Sequence, residues 1–99
     1  MMDAALVENI RNYFKDQPVL KAWLFGSYAR GEETPESDVD ILVQYDDKVR
    51  ISLLTISHMI GELERSIGCR VDLIEEGCLM PFALESSNKD KQLIYEREN

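Results

Sequence analysis

One pairing of short motifs constrains this chain more than any other feature. An apolar run from Val19 to Phe25 ends in Gly26-Ser27, ten residues of turn formers and charge follow, and Asp38-Val39-Asp40 then opens a second apolar run through Ile41, Leu42 and Val43. In an extended strand, residues two apart project from one face at roughly 6.5 Å along the chain. Asp38 and Asp40 therefore point one way, and Val39, Ile41 and Val43 the other. Two like charges on one face require a cation. Hard oxygen ligands suit Mg²⁺, and two-metal phosphoryl-transfer centres hold their ions about 3.5–4 Å apart, a span that Asp38 and Asp40 can bracket. A further strand pattern, Arg70-Val71-Asp72-Leu73-Ile74, sets Asp72 on the face opposite Val71 and Leu73. Paired beside the first strand at about 4.8 Å, it would bring a third carboxylate to the other two.

Gly26-Ser27 supplies a complementary half. A glycine directly after a strand lets backbone approach a ligand closely. Ser27 adds a hydroxyl where a short helical turn, Tyr28 to Arg30, begins, and amides so placed favour anions. A phosphate-binding turn facing metal-binding carboxylates is what nucleotidyl transfer demands, because that chemistry is mostly positioning and charge neutralisation. Arg30 reads either as a clamp on phosphate or carboxylate or as a structural ion pair with a loop acid such as Glu36.

Gly26-Ser27, ten residues, Asp38-Val39-Asp40, and Asp72 on a later strand resemble the nucleotidyltransferase superfamily that includes polymerase beta and the aminoglycoside nucleotidyltransferases. Gly-Ser-Tyr-Ala-Arg-Gly (26–31) and Pro-Glu-Ser-Asp-Val-Asp-Ile-Leu-Val (35–43) are most similar to the minimal nucleotidyltransferases, and the likeness extends from the first helix to Leu93-Ile94-Tyr95. The resemblance implies a polymerase-beta-like α/β fold, a small mixed sheet of three to four strands with helices packed on it. It also implies a catalytic and metal-binding triad of Asp38, Asp40 and Asp72, two Mg²⁺ ions, ATP as substrate, and nucleotide contacts from Gly26, Ser27 and Arg30. Members of this branch resemble antitoxins paired with HEPN-domain ribonuclease toxins, some of which they inactivate by moving AMP onto a toxin tyrosine. The implied partner is a HEPN-type toxin. The rival readings are a binding module that neutralises its partner by complex formation alone, and transfer to a small molecule such as an aminoglycoside.

Ninety-nine residues, 1–99, are expected to make one domain, with no room for a separate acceptor-binding domain. The acceptor is then expected on a second polypeptide or a free small molecule, in a homo- or hetero-oligomer. A hydrophobic share of 44% with 30% charged residues is that of an ordinary globular protein. No apolar run is long enough to span a membrane and the start lacks a signal-peptide pattern, so a cytoplasmic location is expected. The formal charge of −8 disfavours binding to duplex nucleic acid and suits a basic partner. Cys69 and Cys78, with His58 as the one histidine, match no zinc spacing and read as reduced thiols.

Helical spacing predicts a helix over 4–15, capped by Asp3 and ended before Pro18, and another from about Val49 to Ile67, closed by Gly68. Its buried stripe is expected to be Leu53, Ile56, Ile60, Leu63 and Ile67, with His58 on the neighbouring stripe as an ordinary helix residue. In the first strand, Leu20, Ala22 and Leu24 are expected on one face and Trp23 and Phe25 on the other. The strand from Asp38 to Tyr45 should pair antiparallel with it, and the strand from Arg70 to Ile74, reached by a helical crossover, should pair parallel. Ser37 reads as a turn residue. A weaker helical pattern covers Leu79 to Ser86, and Gln92 to Glu96 reads as a short strand or a docked apolar tail.

Overall fold

The computed structural model describes residues 4–32, 34, 36–75 and 91–97. Along the chain it forms α1 (Ala4–Phe14), β1 (Val19–Phe25), the short α2 (Ser27–Arg30), β2 (Val39–Tyr45), α3 (Leu53–Ile67), β3 (Val71–Glu75) and β4 (Gln92–Glu96). The strands make one mixed sheet in the order β3-β2-β1-β4. β1 pairs antiparallel with both β2 and β4, and β2 pairs parallel with β3. The parallel pair needs a crossover, and α3 provides it. The expected α/β fold, a mixed sheet of three to four strands with packed helices, is the one found, and Gln92–Glu96 is its fourth strand. The expected cap Asp3, the helical pattern of Leu79 to Ser86 and Cys78 lie outside the described residues.

Both long helices lie on one face of the sheet. Leu6, Ile10 and Phe14 recur every four residues along α1, and Met59 and Leu63 sit on α3. All five are buried against Val19, Ala22, Leu24, Val39, Ile41, Val43, Val71 and Leu73. Full burial of one such side chain is worth about 1.5–3 kcal/mol, so this layer dominates the stability. β4 joins the same core through Ile94 and Tyr95, whose ring lies 6.0 Å from that of Phe14.

Three sequence expectations are corrected here. α3 starts at Leu53, not Val49, because the Ser52 side chain accepts a hydrogen bond from Thr55 N and caps the helix there, while 46–49 close a turn through Val49 N to Asp46 O. The stripe of α3 is rotated: Met59 and Leu63 form its buried centre, Ile56, Ile60 and Ile67 its half-buried flanks, and Leu53 in the first turn is 83% exposed. In β1 a register shift between Val19 and Lys21 turns Val19, rather than Leu20, into the core beside Ala22 and Leu24.

α3 ends at Gly68, whose φ of 73° is the left-handed geometry of a helix cap and whose N–H bonds Glu64 O at 2.9 Å. The Glu64 carboxylate accepts from Val71 N at 3.0 Å. The helix thus sets the start of β3, and with it the height of Asp72.

Candidate functional site

β2 is paired on both sides, so its alternation is fixed. Val39, Ile41 and Val43 face the helices, which leaves Asp38, Asp40 and Leu42 on the opposite face. Leu42 is itself fully buried, although it stands apart from the helix-side core; its register partners are Trp23 on β1 and Ile74 on β3.

In the parallel pair of β2 and β3, Asp40 lies directly across from Asp72. Asp40 is half-buried and Asp72 exposed. Asp38, one residue before β2, is turned toward β3, where its Oδ1 is 3.2 Å from Arg70 Nε. The backbone below this ion pair is tied by Val39 N donating to Arg70 O at 2.8 Å. Among the described residues, no three Asp, Glu, His or Cys side chains are gathered closely enough to hold a metal ion by themselves. Asp38 and Asp40 on that face are hard oxygen donors, of which Mg²⁺ at nucleotide sites takes one or two beside oxygens of a phosphate ligand.

Gly26 stands beside Asp40. Its φ of 75° disfavours any side chain, and a Cβ there would collide with Asp40 Oδ2 and lie 3.3 Å from Asp40 Cγ. The Asp40 carboxylate therefore rests on bare backbone at the turn from β1 into α2. α2 is braced from both sides: Tyr28 Oη donates to Cys69 Sγ at 3.7 Å, and Gln92 Nε2 donates to Ala29 O at 3.0 Å. Gly31, with φ of 73°, ends this turn. Ser27 and Arg30 lie on α2. The roles expected of their side chains, including the alternative pairing of Arg30 with Glu36, lie outside the described residues.

The remaining candidates fall away from this face. Ser37 accepts from Thr34 N at 2.9 Å, and its own N–H bonds Thr34 O at 3.0 Å, the turn role expected of it. His58 is exposed on α3 beside Glu62, at 3.1 Å, on the helix side of the sheet. The same Glu62 accepts from Tyr13 Oη at 2.7 Å, and burial together with that bond pushes the Tyr13 phenol well above its ordinary value. Burial, aided by the nearby Glu75 charge, raises Tyr45 to about 12. Sequence reasoning passed over Arg70 and Gln92. An arginine before a strand and a glutamine on one carry no local signal; only the strand register brings them to the site.

The family described as "Nucleotidyltransferase domain" matches residues 7–97. A Methanocaldococcus jannaschii protein that bears the provisional name of protein adenylyltransferase is 44% identical over 73 residues, 73% of this chain and 71% of its own length. Among solved structures, a chain of a toxin-antitoxin complex with AMP-PNP superposes with a TM-score of 0.77 at 18% identity, over 93% of this chain and 74% of that one. A chain from the complex of a tri-AMPylated HEPN toxin with an MNT antitoxin of Shewanella oneidensis gives a TM-score of 0.71 at 17% identity, over 94% and 71%. At these identities the structural likeness is one of fold, the polymerase-beta-like arrangement expected from sequence. No helix among the described residues is long and apolar enough to cross a membrane.

Proposed function

This chain belongs to the nucleotidyltransferase domain family, and we propose that it is a Mg²⁺-dependent protein adenylyltransferase, one domain over residues 1–99. It moves AMP from ATP onto a hydroxyl of a partner protein, and acts as the antitoxin that so modifies a HEPN-type ribonuclease toxin. The observation that carries the reading is the register that sets Asp72 across from Asp40, with the Asp40 carboxylate seated on Gly26. The names borne by the relatives and by the structural neighbours support the acceptor and the partner.

In this reading Asp38 and Asp40 would hold Mg²⁺, and Asp72 would complete the site beside the acceptor hydroxyl. Bound Mg²⁺ neutralises charge on the phosphates and makes the acceptor hydroxyl easier to deprotonate. The chain's own residues do the positioning. The Gly26-Ser27 turn offers backbone N–H groups to the polyphosphate, and Arg30 adds a cation. The acceptor oxygen attacks the α-phosphorus in line, the bond to the β-phosphate bridging oxygen breaks, and pyrophosphate leaves. The acceptor's proton goes to Asp72 or to solvent.

The test incubates the protein with Mg²⁺, α-labelled ATP and the product of the neighbouring reading frame, beside Asp40→Asn. Label on the partner that requires Asp40 is the expected result. A stable complex that neutralises the partner without label, equally well with Asp40→Asn, would replace this reading with that of a binding module.

A further inference from the structure

We infer that Arg70 is a phosphate-binding residue held in reserve on Asp38, exchanging that carboxylate for the nucleotide when metal and nucleotide arrive together. The inference rests on the nucleotidyl-transfer reading above and adds a residue to it. Arg70 and Asp38 each stand one residue before the register pair Val39 and Val71. With Val39 and Val71 buried toward the helices, Arg70, Asp72, Asp38 and Asp40 share the opposite face. They form a square in which Arg70 neighbours Asp38 and Asp72 neighbours Asp40.

Across the sheet, Gly26 flanks the acids from β1 and Arg70 flanks them from the β3 side. A polyphosphate lying over Asp38 and Asp40 would thus have the Gly26-Ser27 amides on one side and a guanidinium on the other. The side chain is suited to moving. It is 77% exposed, and its pair with Asp38, itself 51% exposed, is made through Nε at 3.2 Å. Its backbone, in contrast, is fixed by the bond from Val39 N. Guanidinium matches phosphate oxygens with two parallel donors, a geometry lysine lacks.

Charge gives the inference a sign. The square holds three carboxylates and one guanidinium. Removing the guanidinium makes the site more attractive to a bare divalent cation, whereas a nucleotide loses a donor pair. In Arg70→Gln, Mg²⁺ alone should bind roughly threefold tighter, the size expected for loss of an exposed charge neighbour. Mg²⁺ with a non-hydrolysable ATP analogue should bind roughly tenfold weaker, as for a lost charge-assisted hydrogen bond. Arg70→Lys should keep the wild-type response to Mg²⁺ alone and recover only part of the nucleotide affinity.

Titration calorimetry of wild type and both variants, with circular dichroism to confirm folding, reads both affinities. Opposite shifts in Arg70→Gln support the inference. Shifts of one sign, or none, overturn it and leave Arg70 a surface ion pair. A wild-type protein that binds neither Mg²⁺ nor the analogue removes the nucleotidyl-transfer reading itself, and the role of Arg70 with it, before any variant is compared.

Discussion

Replacing Gly26 by alanine imposes two separable penalties. At a φ of 75° an L side chain costs about 1–2 kcal/mol. The new Cβ also meets the Asp40 carboxylate, and turning that side chain off its preferred rotamer adds about 0.5–1.5 kcal/mol. The sum, about 1.5–3.5 kcal/mol, converts to a melting temperature lowered by about 6–28 °C for a domain of this size. Gly68 is the internal control. Its φ is 73°, yet a Cβ there would meet nothing within 4 Å. Gly68→Ala should therefore carry the backbone penalty alone, and Gly68→Asn, which tolerates left-handed geometry better, should regain part of it. Gly26→Asn should regain little, because its Cβ still strikes Asp40. Displacing Asp40 by about 1 Å should also slow label transfer by about a hundredfold, while Gly68→Ala leaves it near wild type. Urea denaturation and the transfer assay together decide. Equal destabilisation at the two glycines, with transfer intact in Gly26→Ala, would refute the claim that Gly26 exists to seat Asp40.

Other expectations follow from contacts remote from that turn. The Asp46 carboxyl is held below its ordinary 3.8 by the Lys48 N–H and by Arg97. A lowered folded value means that the contribution is present above 3.8 and is lost as the pH falls through the lower folded value. Urea midpoints followed from pH 5 to 2 should fall less steeply in Arg97→Ala than in wild type. Leu42→Ala should cost about 2–5 kcal/mol in denaturant unfolding, as expected for a fully buried leucine. Leu53→Ser should stay within about 0.5 kcal/mol of wild type, since the residue is 83% exposed. Asp40→Asn should abolish label transfer and leave complex formation with the partner intact in size-exclusion chromatography.

Much of the placement of the candidate residues was legible because its signals are local. Strand alternation alone puts Asp38 and Asp40 on one face, and a polar reversal between two apolar runs gives the antiparallel pairing of β1 with β2. The crossover through α3 follows from the helical period, and the position of Asp72 from the strand pattern after Gly68. What the sequence concealed is set by long-range register. The one-residue shift in β1 that buries Val19 instead of Leu20 has no mark in Val-Leu-Lys-Ala-Trp. Periodicity gave the spacing of the α3 stripe but not its rotation, because Leu53 and Met59 are both apolar and only tertiary packing decides which is covered. The ion pair of Arg70 with Asp38 and the bond from Gln92 to Ala29 join residues far apart in sequence.

The sheet order also bears on how the chain can fold. β1 and β2 are close in the chain, and their hairpin carries Gly26 and Asp40 at its connected end, so the acidic half of the site can assemble early and at small loop-closure cost. β4 pairs Lys21 with Glu96 and must wait until the chain has passed residue 96. Until it docks, β1 presents an unpaired edge next to a nearly complete site, the kind of surface that recruits another strand. Arg97 then fastens the closure, with its guanidinium on Asp46 at 2.7 Å and on Gln17 O at 3.0 Å, and its own N–H on Leu20 O at 2.8 Å. A nascent chain stalled before Gln92 would therefore be able to build its acidic pocket and yet remain prone to self-association, with docking of β4 as the slow, topology-limited step.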